Sequence, residues 1–337
     1  MNSQFKILYA LQGTGNGHVA RARELIPLLQ KYGKLDVLLS GDQSEVSLPV
    51  QPKYRSKGLT FIYNRHGGIS YWRTLFKSNL IHIIRDLCTF PVQDYDLVIN
   101  DFEFISAWAC KLRKINCYGL RPPGLFLSPN TPRPKKRKWL GECILKYYAP
   151  CSHPVGFHFD HFDNFIYKPV IRSEIRKAQV TNQGHYTVYL PAFSDGKIHR
   201  FLSQIPGTKW EVFSKNTQKA YQRDNLFFPI SNGAFVNSLV SCEGVFTSAG
   251  IETPAEALYM GKKVMVIPIK GQYEQFCNAA AIQKIGVPVI YKFDERALIQ
   301  LRSWVLCASP LNIQYPNLSE KVIYDQIIAP NFKSMNH

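Results

Sequence analysis

Residues Cys242 to Val287 read CEGVFTSAGIETPAEALYMGKKVMVIPIKGQYEQFCNAAAIQKIGV. Two short apolar runs, Val245 to Thr247 and Lys263 to Ile267, alternate with two stretches of helical period, Glu252 to Met260 and Tyr273 to Lys284. Runs this short, rich in valine and isoleucine, predict strands buried on both faces, and the stretches between them predict crossover helices. Two consecutive strand–helix units joined by short loops build a parallel sheet.

The same rhythm extends in both directions. Upstream, His185 to Leu190, Trp210 to Phe213 and Leu226 to Phe228 read as strands, with a helix near Lys197 to Gln204. In the first half, Phe5 to Leu11, Leu35 to Ser40, Leu59 to Tyr63, Leu97 to Asn100 and Ile115 to Leu120 read as strands. The spacing predicts helices over His18 to Lys31, Trp72 to Cys88 and Phe102 to Arg113. From Arg121 to Tyr167 the rhythm fails, and the chain becomes rich in Pro, Arg, Lys and aromatic residues. The expected architecture is α/β, two doubly wound Rossmann-like domains facing across a cleft. The first spans 1–168 and the second 169–314, with a terminal helix at about 315–337 packing back on the first. Ligands of such sheets bind where strands end at their carboxyl side, so the cleft is the expected site.

Composition agrees with a globular chain. Of 337 residues, 45% are hydrophobic and 19% charged, which excludes disorder, collagen and coiled coil. A formal charge of +17 favours phosphate groups, anionic headgroups or nucleic acid as partners. Eight cysteines without a C-x-x-C pair argue against a zinc ribbon or disulfide framework. The opening residues lack the apolar core of a signal peptide, and no apolar run approaches the roughly 20 residues of a membrane span. A cytoplasmic protein is expected, one that can still dock on the inner face of a membrane.

Between the first strand and first helix lies Gln12-Gly13-Thr14-Gly15-Asn16-Gly17-His18. Gly15 and Gly17 allow close approach of the backbone to a ligand, and the helix start offers free amides to an anion. The loop is not a dinucleotide fingerprint, because His18 stands where the third glycine belongs and Asp42 lies beyond the end of the second strand. Nor is it a P-loop, since no Gly-Lys-Ser or Gly-Lys-Thr follows. An imidazole at this position is a competent general base. Asp101, at the end of Leu97 to Asn100, falls on the same sheet edge and can hold the second ring nitrogen of His18. It is equally placed to cap a helix starting at Phe102. In the second half, Ser248, Ala249 and Gly250 end a strand and open a helix, a cradle for a diphosphate. Glu256 is one turn in, suited to a ribose diol, and Glu274 with Gln275 opens the next helix, suited to sugar hydroxyls.

The stretch Cys242 to Val287 resembles the donor-nucleotide region of GT-B glycosyltransferases, the group with the UDP-glycosyltransferases and the peptidoglycan N-acetylglucosaminyltransferase. GTGNGHVARA resembles their acceptor-side loop, YDLVINDFEF the strand bearing the acid that partners the catalytic histidine, and TVYLPAFSDGKI the opening of the C-terminal domain. The likeness is nearest to a bacterial and archaeal branch of these proteins. It implies His18 as base and Asp101 as its partner. Ser194, Ser248, Ala249 and Gly250 would lie on the diphosphate, Glu256 on the ribose, Glu274 and Gln275 on the sugar, and Phe228, Pro229 and Ile230 near the nucleobase. Where Ser248 and Glu274 stand, the plant-type signature has His and Asp. No cofactor is implied. The donor substrate would be a nucleotide-diphosphate sugar, UDP most of all, and the acceptor a glycan or lipid.

His158-Phe159-Asp160-His161-Phe162-Asp163 has metal-ligand residue types but no helical frame to aim them, and is expected to be structural. Asp94-Tyr95-Asp96 precedes a strand instead of ending one, unlike a metal-binding acid pair. The run Arg133, Lys135, Lys136, Arg137 and Lys138, beside Trp139, has the make-up of a segment that docks on an anionic membrane. Three function classes fit the sequence: an inverting glycosyltransferase, a sugar-nucleotide epimerase of the same fold, and a noncatalytic polyanion-binding protein. The donor region disfavours the last, and no nucleic-acid module is visible.

Overall fold

The computed structural model describes residues 5–13, 16–41, 48–56, 80–120, 123–223 and 225–335. Gly15, the expected strand Leu59 to Tyr63 and the first turns of the expected helix Trp72 to Cys88 lie outside them.

The first half contains β1 (Lys6–Gln12), α1 (Asn16–Gln30), β2 (Lys34–Ser40), β3 (Tyr54–Ser56), α2 (Leu80–Thr89), β4 (Leu97–Asp101), α3 (Phe104–Arg113) and β5 (Cys117–Gly119). The segment of broken rhythm folds into two short helices, α4 (Pro123–Leu127) and α5 (Trp139–Tyr147), and three two-residue strands, β6 (His153–Pro154), β7 (Gly156–Phe157) and β8 (Ile166–Tyr167). The six-stranded sheet has the order β3-β2-β1-β4-β5-β6, all parallel, while β7 and β8 pair apart. Ile7 to Leu11 lie opposite Leu97 to Asp101. Strand β1 is buried from Ile7 onward because helices cover both faces, as its unbroken apolar run demands. Strand order reverses between β1 and β4, which opens a crevice at their carboxyl ends.

The second half runs α6 (Ser173–Arg176), β9 (His185–Tyr189), α7 (Asp195–Leu202), β10 (Lys209–Ser214), β11 (Tyr221–Arg223), β12 (Asn225–Pro229), α8 (Asn232–Ser241), β13 (Gly244–Ser248), α9 (Glu252–Tyr259), β14 (Lys263–Ile267), α10 (Tyr273–Lys284) and α11 (Glu295–Cys307). Its sheet order is β11-β12-β10-β9-β13-β14, with β11 alone antiparallel to its neighbour. The reversal here falls between β9 and β13. Their carboxyl ends carry Ser194 and Ser248 to Gly250.

Three apolar clusters position the site. One fills the first half and contains Ile7, Tyr9 and Leu25 together with Val322, Ile323, Ile327 and Ile328 from the helical turns at the end of the chain. Another lies within the second half around Val188, Phe201, Trp210 and Leu301. The third crosses between halves and joins Phe102, Leu145 and Tyr148 to Ile251, Tyr273 and Cys277. Helix α5 docks on α10 at Gly141, where a β-carbon would sit 2.7 Å from the Tyr273 ring, and the Tyr273 hydroxyl donates to Glu142 at 2.7 Å. The irregular segment is therefore a contact surface between the sheets.

Candidate active site

The turn after β4 is built from the sequence Asn100-Asp101-Phe102-Glu103. Helix α3 starts at Phe104, and its cap is Glu103, whose carboxylate accepts from the amides of Ile105 and Ser106 at 2.9 and 2.6 Å. The helix expected from Phe102, capped by Asp101, is thus corrected by two residues. Phe102 takes φ 61°, left-handed backbone that a bulky residue adopts only when its surroundings enforce it. The enforcement is visible. Asn100 donates to the Glu103 carbonyl at 2.7 Å, Ser40 donates to Glu103 at 2.7 Å, and the Phe102 ring lies 4.7 Å from that of Tyr148. With capping taken by Glu103, the Asp101 carboxylate is left for side chains.

Three of them converge on it. His18 Nδ1 lies 2.8 Å from Asp101 Oδ1. Arg21, three residues on and so on the same face of α1, gives Nη2 at 2.6 Å and Nε at 3.0 Å to the same carboxylate. Tyr9 Oη approaches at 3.3 Å. Burial pushes the Asp101 carboxyl up, but Arg21 and His18 outweigh it and hold it well below the usual carboxylate range. Arg21 Nη2 also comes within 3.2 Å of His18 Nδ1. The shorter contact is to an anion, so Nδ1 is the nitrogen that donates, and the tautomer this favours carries its lone pair on Nε2. Sequence reasoning found His18 and Asp101 but missed Arg21, whose signal was its i+3 spacing from His18.

Arg21 also reaches the second half. Its Nη1 donates to Glu252 Oε1 at 2.6 Å, and a β-carbon on Gly17 would come within 2.8 Å of Glu252 Oε2. Ser248 and Ala249 are buried at the end of β13, and a side chain at Gly250 would meet nothing within 4 Å, so the loop opens to space. Ser194 is exposed at the start of α7.

Two expected donor contacts are otherwise engaged. Glu256 is 1% exposed, and its oxygens accept from Arg172 Nε at 2.6 Å and Nη2 at 2.7 Å. One turn into α9, this carboxylate points inward, and in this structure it is the ion-pair partner of the segment entering the second half and not open to a ribose. Gln275 uses its carbonyl oxygen to accept from the Ile269 amide at 2.9 Å. Glu274 is half-buried beside it.

Phe228 stacks on Phe213 at 5.4 Å, with Pro229 and Ile230 half-buried at the end of β12. Phe228 also lines a groove of about 580 Å³ beside α8, whose walls include Phe213, Val236 and Glu211 and none of the residues around His18. In the His158–Asp163 segment, His158 Nδ1 accepts from the Phe159 amide, His161 Nδ1 lies 2.9 Å from the Ile166 carbonyl, and Asp160 pairs with Lys168. Among the described residues no three metal-ligating side chains gather. The basic run divides. Lys135, Lys136, Arg137, Lys138 and Trp139 are exposed, but the Arg133 side chain is 8% exposed, stacks over Phe126 and donates to the Thr131 carbonyl at 2.7 Å. Arg133 is thus removed from the expected docking surface.

Two facing Rossmann-like domains, with the His18–Asp101 pair on one side and a helix start on the other, define a GT-B glycosyltransferase. Residues 5–305 match the family described as Glycosyl transferase family 1, and the chain belongs to it. Solved structures share the fold at low identity. Arabidopsis thaliana UGT89C1 complexed with UDP superposes with a TM-score of 0.57 at 12% identity, covering 98% of each chain. MurG from Acinetobacter baumannii gives 0.51 at 11% identity, with 99% of this chain and 95% of that one covered. The glycosyltransferase SsfS6 of Streptomyces sp. SF2575, complexed with thymidine diphosphate, gives 0.54 at 13% identity, with 98% and 96% covered. No curated protein matches the chain by sequence.

Proposed function

We propose that the protein is an inverting glycosyltransferase that moves a hexose from a nucleotide-diphosphate sugar, UDP-linked by preference, to an acceptor hydroxyl. The observation that carries this reading is the 2.8 Å contact of His18 Nδ1 with a buried, ionised Asp101, which leaves Nε2 as base. His18 takes the acceptor proton at Nε2 as the acceptor oxygen bonds to the anomeric carbon. The bond to the diphosphate breaks on the opposite face, so configuration inverts and the electron pair leaves on the diphosphate. The turn Ser248-Ala249-Gly250 and the free amides at the start of α9, with Gly17 close by, take up that charge without a metal. The bound UDP of UGT89C1 and thymidine diphosphate of SsfS6 support a nucleoside diphosphate as carrier. His18→Ala tests the reading. Transfer should fall by about 10²- to 10⁴-fold while affinity for the nucleoside diphosphate is unchanged. Near-normal transfer by the variant would refute the base, and interconversion of the nucleotide sugar without transfer would point to an epimerase.

The acceptor belongs, in this reading, to a lipid or cell-envelope glycan at the inner face of a membrane. Lys135, Lys136, Arg137 and Lys138 are exposed beside Trp139, itself 76% exposed, and beside the half-exposed Leu140 and Tyr147. Each cation near an anionic leaflet contributes about 1 kcal/mol, and an exposed indole suits the headgroup level. No described helix is long and apolar enough to cross a membrane. Flotation with anionic vesicles should show binding that weakens with salt and is lost when these four residues are neutralised. Absence of binding at low salt would make the acceptor soluble.

A further inference from the structure

The carboxylate of Glu252 occupies an unusual place. It is the first residue of α9, yet it turns back toward the first turn of α1 and lies against Gly17, so that two helix N-termini from opposite halves face one side chain. Its side chain is 19% exposed, whereas that of its partner Arg21 is 2% exposed. The guanidinium is shared. Nε and Nη2 hold Asp101, and Nη1 holds Glu252 at 2.6 Å. Arg21 lies between two carboxylates, Asp101 and Glu252. A donor diphosphate brought to the same helix start would meet the Glu252 carboxylate at short range and be repelled by it. Opposed helix starts with a fixed guanidinium form a setting for a phosphate-like anion, and here a carboxylate fills it.

We propose that Glu252 holds the diphosphate position in the ligand-free protein, and that Arg21 exchanges this carboxylate for the diphosphate when the donor enters. This rests on the donor reading given above. In the exchange Asp101 keeps Nε and Nη2, so the orientation of His18 is preserved, and only Nη1 changes partner. Glu252 is the member able to move, because it is the partly exposed one and its contact with Gly17 is made by the far end of a flexible side chain. The leaving diphosphate then gains a buried cation. Its departure restores the Arg21–Glu252 pair, which favours product release.

The test is calorimetric titration of the full-length protein, Glu252→Gln and Glu252→Ala with UDP, inorganic pyrophosphate and uridine. Removing the resident charge should tighten UDP and pyrophosphate by about ten-fold in both variants and leave uridine unchanged. Equal or weaker UDP binding would overturn the exchange and make Glu252 a permanent tie between the halves. The same gain in an Arg21→Lys background would overturn the assignment to Arg21. Failure of UDP, thymidine diphosphate and guanosine diphosphate to bind any of these proteins would instead overturn the donor reading, and the inference with it.

Discussion

Arg172→Met isolates the ion pair that anchors α9. In the native protein Arg172 gives two hydrogen bonds, at 2.6 and 2.7 Å, to the fully buried Glu256 and a third, at 2.6 Å, to the more exposed Glu174. Methionine keeps the stem and removes the charge, leaving a carboxylate that is 1% exposed with its principal partner gone. Breaking a buried pair from one side costs about 3–5 kcal/mol. The loss depends on pH, with a definite sign. Burial already pushes the Glu256 carboxyl above its ordinary value, against the pull of Arg172. A group raised in the folded state contributes stability that is complete below its unfolded value and is lost as pH rises through its folded value. Without Arg172 the folded value rises further, and each unit of displacement is worth about 1.4 kcal/mol. Urea unfolding followed by tryptophan fluorescence should therefore show the variant furthest below wild type at pH 7–8, with the gap narrowing toward the usual glutamate range. Replacing both members, as Arg172→Met with Glu256→Leu, should recover much of the loss, since an apolar pair leaves no buried charge. A variant within about 1 kcal/mol of wild type at neutral pH, or a gap that widens on acidification, would refute this account. It would also return Glu256 to the ribose.

Asp101→Asn should lower kcat by about 10²- to 10⁴-fold, because the amide no longer fixes the Nδ1–H tautomer of His18. Since the Asp101 carboxyl is held well below its ordinary range, it contributes stability above that range which is lost as pH falls; urea midpoints of the variant should lack this component of acid sensitivity. Gly141→Ala should cost about 1–3 kcal/mol, as its β-carbon would meet Tyr273 ring atoms at 2.7–2.8 Å, and an unchanged urea midpoint would show that α5 yields freely. Transfer activity should survive chelation of divalent ions; loss in chelator reversed by manganese or magnesium would assign the diphosphate charge to a metal.

What the sequence determined by itself was the alternation of short apolar runs with helical stretches. Strands buried on both faces must be apolar throughout, so Lys263–Ile267 and Tyr273–Lys284 were legible to the residue. Helices α5, α8 and α11 were not marked out, because their apolar faces take meaning only from the surfaces they cover. The pairing of His18 with Asp101 was also legible, since the helix start after β1 and the end of β4 lie on the same carboxyl edge of a doubly wound sheet. Tertiary structure decided the rest through long-range contacts that no local pattern encodes. Glu256 and Arg172 are 84 residues apart, and Arg21 and Glu252 are 231 apart. A carboxylate on the first turn of a helix has the same sequence signature whether it meets a ribose, an arginine or water. Only the folded arrangement sets its partner, because burial and the opposing charge come from other parts of the chain.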